Sequence, residues 1–182
     1  MAKATKKKKK LQFINELKRR PLTLRLYPDS ILRKKAVPVQ LFNTVLQDFA
    51  NDMLFFMEQH EGIGLAAPQV GILQRIVVAD IGDGAICLVN PEIVAGSGTE
   101  DMNEGCLSLP GYTVDINRNK SIKIRGKTLK GEKTVLELDG LLARVLQHEV
   151  DHLNGTLICD YSDLLPEIEG FQQLDKENGL DG

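Results

Sequence analysis

His148-Glu149-Val150-Asp151-His152 places two imidazoles four residues apart with a carboxylate beside the first. On a helix, that spacing brings both rings to one face, with Cβ atoms roughly 5–6 Å apart. Two such rings can grip one metal ion while the glutamate handles protons on a water at the ion. The chemistry suggested is metal-assisted hydrolysis. The chain has only three histidines, and two of them are here. The alternative is a pair of ordinary surface or core histidines. Against it, the flanking residues are apolar at helical spacing, and burying two imidazoles and a carboxylate without partners is costly.

A hydrolytic metal needs a third protein ligand and an open coordination position. The extended protease pattern that begins His152-Leu153-Asn154-Gly155 requires a further histidine where this chain has Ile158, so that option fails. A downstream carboxylate, Glu167 or Glu169, lies just past Pro166 in a tail-like segment and makes a poor rigid ligand. Cys106 is the better candidate. It sits in Glu104-Gly105-Cys106-Leu107-Ser108, read here as turn-rich, whereas Cys87 and Cys159 have the apolar neighbours of ordinary core thiols. Two histidines and a cysteine suit a borderline cation such as Zn²⁺ or Fe²⁺. A third segment, Gly62-Ile63-Gly64-Leu65-Ala66-Ala67-Pro68-Gln69, lacks both the Lys-Ser/Thr ending of a phosphate loop and the full dinucleotide-binding spacing. Its small residues let backbone approach a substrate closely, and Gln69 offers a neutral amide to polarise a carbonyl.

These segments need a scaffold. Leu41, Val45, Phe49, Met53, Phe56 and Met57 recur at helical spacing and predict an amphipathic helix over 40–60, its stripe facing the core. A short helical stretch is expected over 30–35. Strands are expected over 75–80, 85–90, 92–95, 121–127 and 134–138, with turns at Gly82-Asp83-Gly84 and Asn90-Pro91 and a hairpin through Lys130-Gly131-Glu132. The motif helix spans 140–154, with Asp139 as its expected N-cap and Gly155 as its stop. The fold class is α+β: antiparallel β-sheets packed around a central metal-binding helix, with an N-terminal amphipathic helix.

The 182 residues, 42% hydrophobic and 26% charged, fit one soluble globular domain. No apolar run approaches the roughly 20 residues that span a bilayer, so no membrane partner is expected. Three cysteines are too few and too odd a number for a disulfide framework and point to a reducing compartment. The net charge of −2 hides an asymmetry: residues 1–20 hold nine Lys or Arg against one acidic residue, leaving 14 basic and 24 acidic residues in the rest. We expect a disordered basic leader over 1–20, one catalytic domain over 21–165 and an acidic tail over 166–182. The lysine run from Lys6 to Lys10 is a solvated tail or a contact for RNA or the ribosome. A transit peptide fits less well, because the leader has no serine.

Taken together, Gly62 to Gln69, Glu104 to Ser108 and Gln147 to Gly155 resemble the three motifs of the peptide deformylases, complete and in order. The resemblance implies removal of the formyl group from the N-terminal formyl-methionine of nascent polypeptides. It implies one divalent metal, Fe²⁺ natively, with Zn²⁺, Ni²⁺ or Co²⁺ as substitutes, and a bacterial cytoplasm or an organelle as the setting. Cys106, His148 and His152 match the metal ligands and Glu149 the general base and acid. Gln69 and the backbone N–H of Leu107 match the groups that hold the formyl oxygen. Ile63, Gly64, Leu141 and Val145 fall where the family lines its methionine pocket. Glu104 and Asp151 resemble positions that support the ligands, and Arg118 a recurrent structural arginine. Three departures stand out: Gly111-Tyr112-Thr113 lacks an arginine that some members have, Arg144 occupies an often apolar position, and Tyr161 stands where Asp-Arg is more usual. The rival classes are a zinc endopeptidase and a non-catalytic ribosome-associated metal-binding module.

Overall fold

The computed structural model describes residues 21–163. The expected leader, its RNA contact, the acidic tail, and Glu167 and Glu169 all lie outside these residues. The elements run α1 (Thr44–Gln59), β1 (Gly64–Ala66), β2 (Ile76–Ala79), β3 (Ile86–Ser97), β4 (Glu100–Cys106), β5 (Leu109–Arg118), β6 (Ser121–Lys127), β7 (Lys133–Asp139) and α2 (Gly140–Asn154), with 3₁₀ turns at Ser30–Arg33, Ala67–Val70 and Ile158–Tyr161. Five strands form one antiparallel sheet in the order β1-β2-β3-β6-β7, while β4 and β5 pair separately. The expected α+β class holds.

Strand β2 shows why the helices lie where they do. All four of its residues are apolar and buried, as a strand covered on both faces must be. Ile76 and Val78 pack with α1 residues Phe49, Met53 and Met57. Val77 and Ala79 point the other way, toward Ala143, Leu146, Val150 and Leu153 of α2. The sheet is thus held between the two helices, and α2 is fixed along its length by apolar side chains. A third cluster, with Leu109, Val114, Ile116, Leu157 and Ile158, seats the β4–β5 hairpin on the final 3₁₀ turn.

Three local expectations need correction. Asn90-Pro91 is not a turn between strands. The chain continues through it as the single strand β3, with a register shift between Val89 and Glu92 and Asn90 at φ 54°. The Asn90 side chain offsets this break by bonding both the N–H and the carbonyl of Val39. Asp139 holds the N-cap position of α2 but makes no side-chain capping bond. The N–H of Gly140 donates instead to the Lys120 carbonyl at 3.0 Å, tying the helix start to the sheet. The segment around Cys106, read as turn-rich, forms strands β4 and β5. Polar alternation on this short hairpin hid the strand signal. Gly155 stops α2 as expected: its φ is 80°, and a Cβ there would lie 2.5 Å from the Arg33 carbonyl oxygen.

Candidate metal centre

Cys106 closes β4, and a register shift between Gly105 and Cys106 leaves only Leu107 and Ser108 to reverse the chain before Leu109. Ser108 is fully buried, and its carbonyl accepts from the Tyr27 N–H at 2.9 Å. The turn that carries Cys106 and the Leu107 N–H is therefore anchored. Across from it, α2 projects His148, Glu149 and His152 from one face. The Nε2 atoms of the two histidines are 3.2 Å apart, and Cys106 Sγ lies 3.3 Å from His152 Nε2. All three ligand atoms fall within 4.8 Å of one another.

That cluster is hard to satisfy with protons alone. His152 Nε2 offers one proton or one lone pair, yet it faces both His148 Nε2 at 3.2 Å and Cys106 Sγ at 3.3 Å. A cation about 2.0–2.3 Å from each donor accepts all three lone pairs at once. The residues therefore fit a metal ion, and among the described residues these are the ones grouped to hold it. The proton inventory of His148 agrees, whereas His152 Nδ1 is buried with no partner among the described residues. His148 Nδ1 lies 3.0 Å from Glu104 Oε2, so a proton there donates to the carboxylate and leaves Nε2 free as a ligand.

Glu104 is the hub of the supporting network. Its carboxylate accepts from Arg118 Nε at 2.6 Å and Nη2 at 3.0 Å, from Arg144 Nη1 at 2.6 Å, and from His148. Burial alone would raise its pKa, but the bonds and charges of His148 and Arg118 outweigh that and hold it down at about 2. Arg118 also donates to Asp151 Oδ2 at 2.8 Å. Glu104 and Asp151 are thus held in one ion network behind the ligands, and Arg118, read as structural, joins them.

Arg144, noted as a departure at an often apolar position, donates to Glu104, the Ile116 carbonyl at 3.0 Å and the Glu100 carbonyl. It clamps α2 to the β4–β5 hairpin. Sequence reasoning missed this role; the available signal was a cation on the buried stripe of a helix, which requires a buried partner.

In front of the ligands lies a cleft of about 460 Å³. Ile63, Gly64, Gln69, Leu107, Leu141 and Val145 line it together with Cys106, His148 and Glu149, so the structure brings together the expected site residues, with His152 buried behind. Ile63 and Leu141 are exposed at its mouth and Val145 is buried. Gly64 is required by contact. A Cβ there would sit 2.4 Å from Glu149 Oε1 and 2.7 Å from Val145 Cγ1. Glu149 is buried, and its Oε2 has no hydrogen-bond partner among the described residues. Burial pushes its carboxyl up to about 7 against the pull of His148 and Arg118, the range in which a group both takes and gives protons at neutral pH. Gln69 is fixed through its oxygen, which accepts from the Ala66 N–H at 2.8 Å, while its nitrogen reaches Ser108 Oγ at 3.2 Å and Cys106 Sγ at 3.7 Å. Its amide donor therefore faces the ligand cluster. Ser108, which holds it there, was not singled out from sequence.

Comparison with known proteins agrees with this geometry. Residues 21–166 match the family model described as polypeptide deformylase. The chain is 48% identical over 138 residues to the peptide deformylase of Thermotoga neapolitana, covering 75% of this chain and 84% of that one. It is also 48% identical to that of Clostridium botulinum, covering 75% and 93%. Among solved structures, a Thermotoga maritima peptide deformylase superposes with a TM-score of 0.76 at 45% identity, covering 78% of this chain and 97% of the other. One from Legionella pneumophila gives 0.78 at 38%, covering 87% and 96%. With the family's model matched across the whole described fold and the ligand cluster at its centre, the chain belongs to the polypeptide deformylase family.

Proposed function

We propose that this chain removes the formyl group from the N-terminal formyl-methionine of nascent polypeptides, using one divalent metal held by Cys106, His148 and His152. The observation that carries the reading is the convergence of those three ligand atoms on one side of a cleft that also contains the buried Glu149 carboxylate. When bound, the cation supplies a Lewis acid and makes water a competent nucleophile at neutral pH.

The protein's own groups supply the rest. Glu149 takes the proton of the attacking water at its unpartnered Oε2. The Leu107 N–H and the Gln69 amide hold the formyl oxygen as it gains negative charge, each such donor contributing about 3 kcal/mol. Glu149 then passes the proton to the leaving amine, and formate departs. Ile63, Gly64, Leu141 and Val145 receive the methionine side chain. A thiolate donates more charge to the ion than an imidazole and tempers its acidity, which suits a reactive formamide. Fe²⁺ is the native ion, with Zn²⁺, Ni²⁺ or Co²⁺ as substitutes. The cytoplasm is the setting.

Paired variants test the roles. Glu149→Gln keeps the metal and loses about 100-fold or more of turnover, as expected for loss of a proton-transfer group. Cys106→Ala loses the metal. Full activity in either variant contradicts the assignment. An endopeptidase would differ sharply, because Cys106→Ala would leave it active.

A further inference from the structure

Behind the ligands, a path of contacts runs outward from His148 to Glu104, from Glu104 to Arg118 and from Arg118 to Asp151. It ends on Tyr161. The tyrosine hydroxyl donates to Asp151 Oδ2 at 2.8 Å, the same oxygen that accepts from Arg118 Nη1 at 2.8 Å. The Arg118 guanidinium also lies over the Tyr161 ring, 5.1 Å from its centroid. We propose that Tyr161 is a positioning residue for metal retention, holding Asp151 against Arg118 and so keeping Glu104 seated on the proton-bearing nitrogen of His148. The inference rests on the reading of Cys106, His148 and His152 as metal ligands.

Three observations support it. First, the backbone that carries Tyr161 is fixed, although the side chain is itself 44% exposed. The residue follows Leu157, Ile158 and Cys159, all buried under the hairpin, and Asp160 bonds both Arg33 at 2.6 Å and the Leu157 N–H at 2.9 Å. Second, Asp151 is the one carboxylate of the network with appreciable solvent contact: its side chain is 23% exposed, against 7% for Glu104. The shared Oδ2 means that the hydroxyl holds the very atom Arg118 uses. Third, burial and the neighbouring Asp151 push the Tyr161 hydroxyl up to about 12, so it remains a neutral donor across the working pH range.

Arg144 grips Glu104 independently, so loss of Tyr161 should loosen the network rather than dissolve it. The expected effect is therefore at the low end of the roughly 10–100-fold loss in affinity seen when a partner behind a metal-ligating histidine is removed.

The test uses the full chain loaded with Co²⁺ without oxygen, comparing wild type with Tyr161→Phe and Tyr161→Leu. The readouts are the rate of Co²⁺ release to a chromophoric chelator, the visible cobalt–thiolate spectrum and the unfolding temperature. We expect several-fold faster release from Tyr161→Phe, about 10-fold from Tyr161→Leu, and an altered spectrum in the latter. Wild-type release from Tyr161→Phe would overturn the proposal, even if the unfolding temperature fell. Wild-type protein that takes up no Co²⁺ would overturn the ligand reading itself, and the proposal with it.

Discussion

Gly64 shows how closely the buried Glu149 carboxylate depends on its neighbours. Any Cβ at this position meets Glu149 Oε1 at 2.4 Å, and the carboxylate must move to admit it. A displacement near 1 Å at a reacting group costs on the order of 100-fold in rate. Gly64→Ala should therefore lose about 10–100-fold in kcat/KM while unfolding close to wild type, measured by formate release beside thermal melting. The cysteines separate in the same way. Burial pushes the Cys87 thiol up to about 12, so it stays protonated and inert at pH 8. Iodoacetamide on chelator-treated protein should modify Cys106 and spare Cys87, as peptide mass mapping would report; equal labelling would contradict the placement. The distinction between the cysteines was legible from the sequence, whereas the contact of Gly64 with Glu149 was not. Apolar neighbours marked Cys87, and the glycine–cysteine–serine segment marked Cys106. What the sequence concealed was the role of Arg144. A cation beside an apolar stripe reveals that a partner exists, but not that the partner is Glu104, 40 residues away.

At the scale of elements, the candidate centre depends on holding α2 against the β4–β5 hairpin, since one carries His148 and His152 and the other carries Cys106. Glu104 is the joint, accepting from Arg118, Arg144 and His148 while only 7% exposed. Its folded pKa of about 2 lies below the ordinary 4.5, so its stabilising contribution is complete above pH about 4.5 and is lost as pH falls toward 2. Glu104→Gln should destabilise the fold by about 3–5 kcal/mol at neutral pH, because it strands buried cations. In denaturant titrations the gap to wild type should narrow as pH drops from about 4.5 toward 2; a gap independent of pH would contradict the account. The helix was readable because its apolar residues repeat at helical spacing and Gly155 ends it. The hairpin was not: Asp101, Asn103, Asp115 and Asn117 are exposed polar residues that bond across the two strands, and such a pattern looks like loop in a single sequence.

At the scale of the whole molecule, the sheet divides two apolar clusters, and α2 belongs to one of them through Leu146 and Leu153, both fully buried. Leu146→Ala should cost about 2–5 kcal/mol and lower the unfolding temperature without altering the ligand set. The α+β architecture followed from sequence because the strongest periodicities lie in the two helices and the β-rich runs between them. The β6–β7 hairpin was legible in its turn, but the pairing of β3 with β6 and the separation of β4 and β5 depend on tertiary contacts that no local pattern encodes. No helix among the described residues is long and apolar enough to cross a membrane. Because a cation would tie α2 to the hairpin, removing it should lower the unfolding temperature, and returning it should restore the transition. The most direct test of the central claim is formate release from a formyl-methionyl peptide, with protein prepared without oxygen and assayed for metal. The account predicts release that stops on chelation and returns with Fe²⁺ or Ni²⁺. Protein carrying a full equivalent of metal that releases no formate would contradict it.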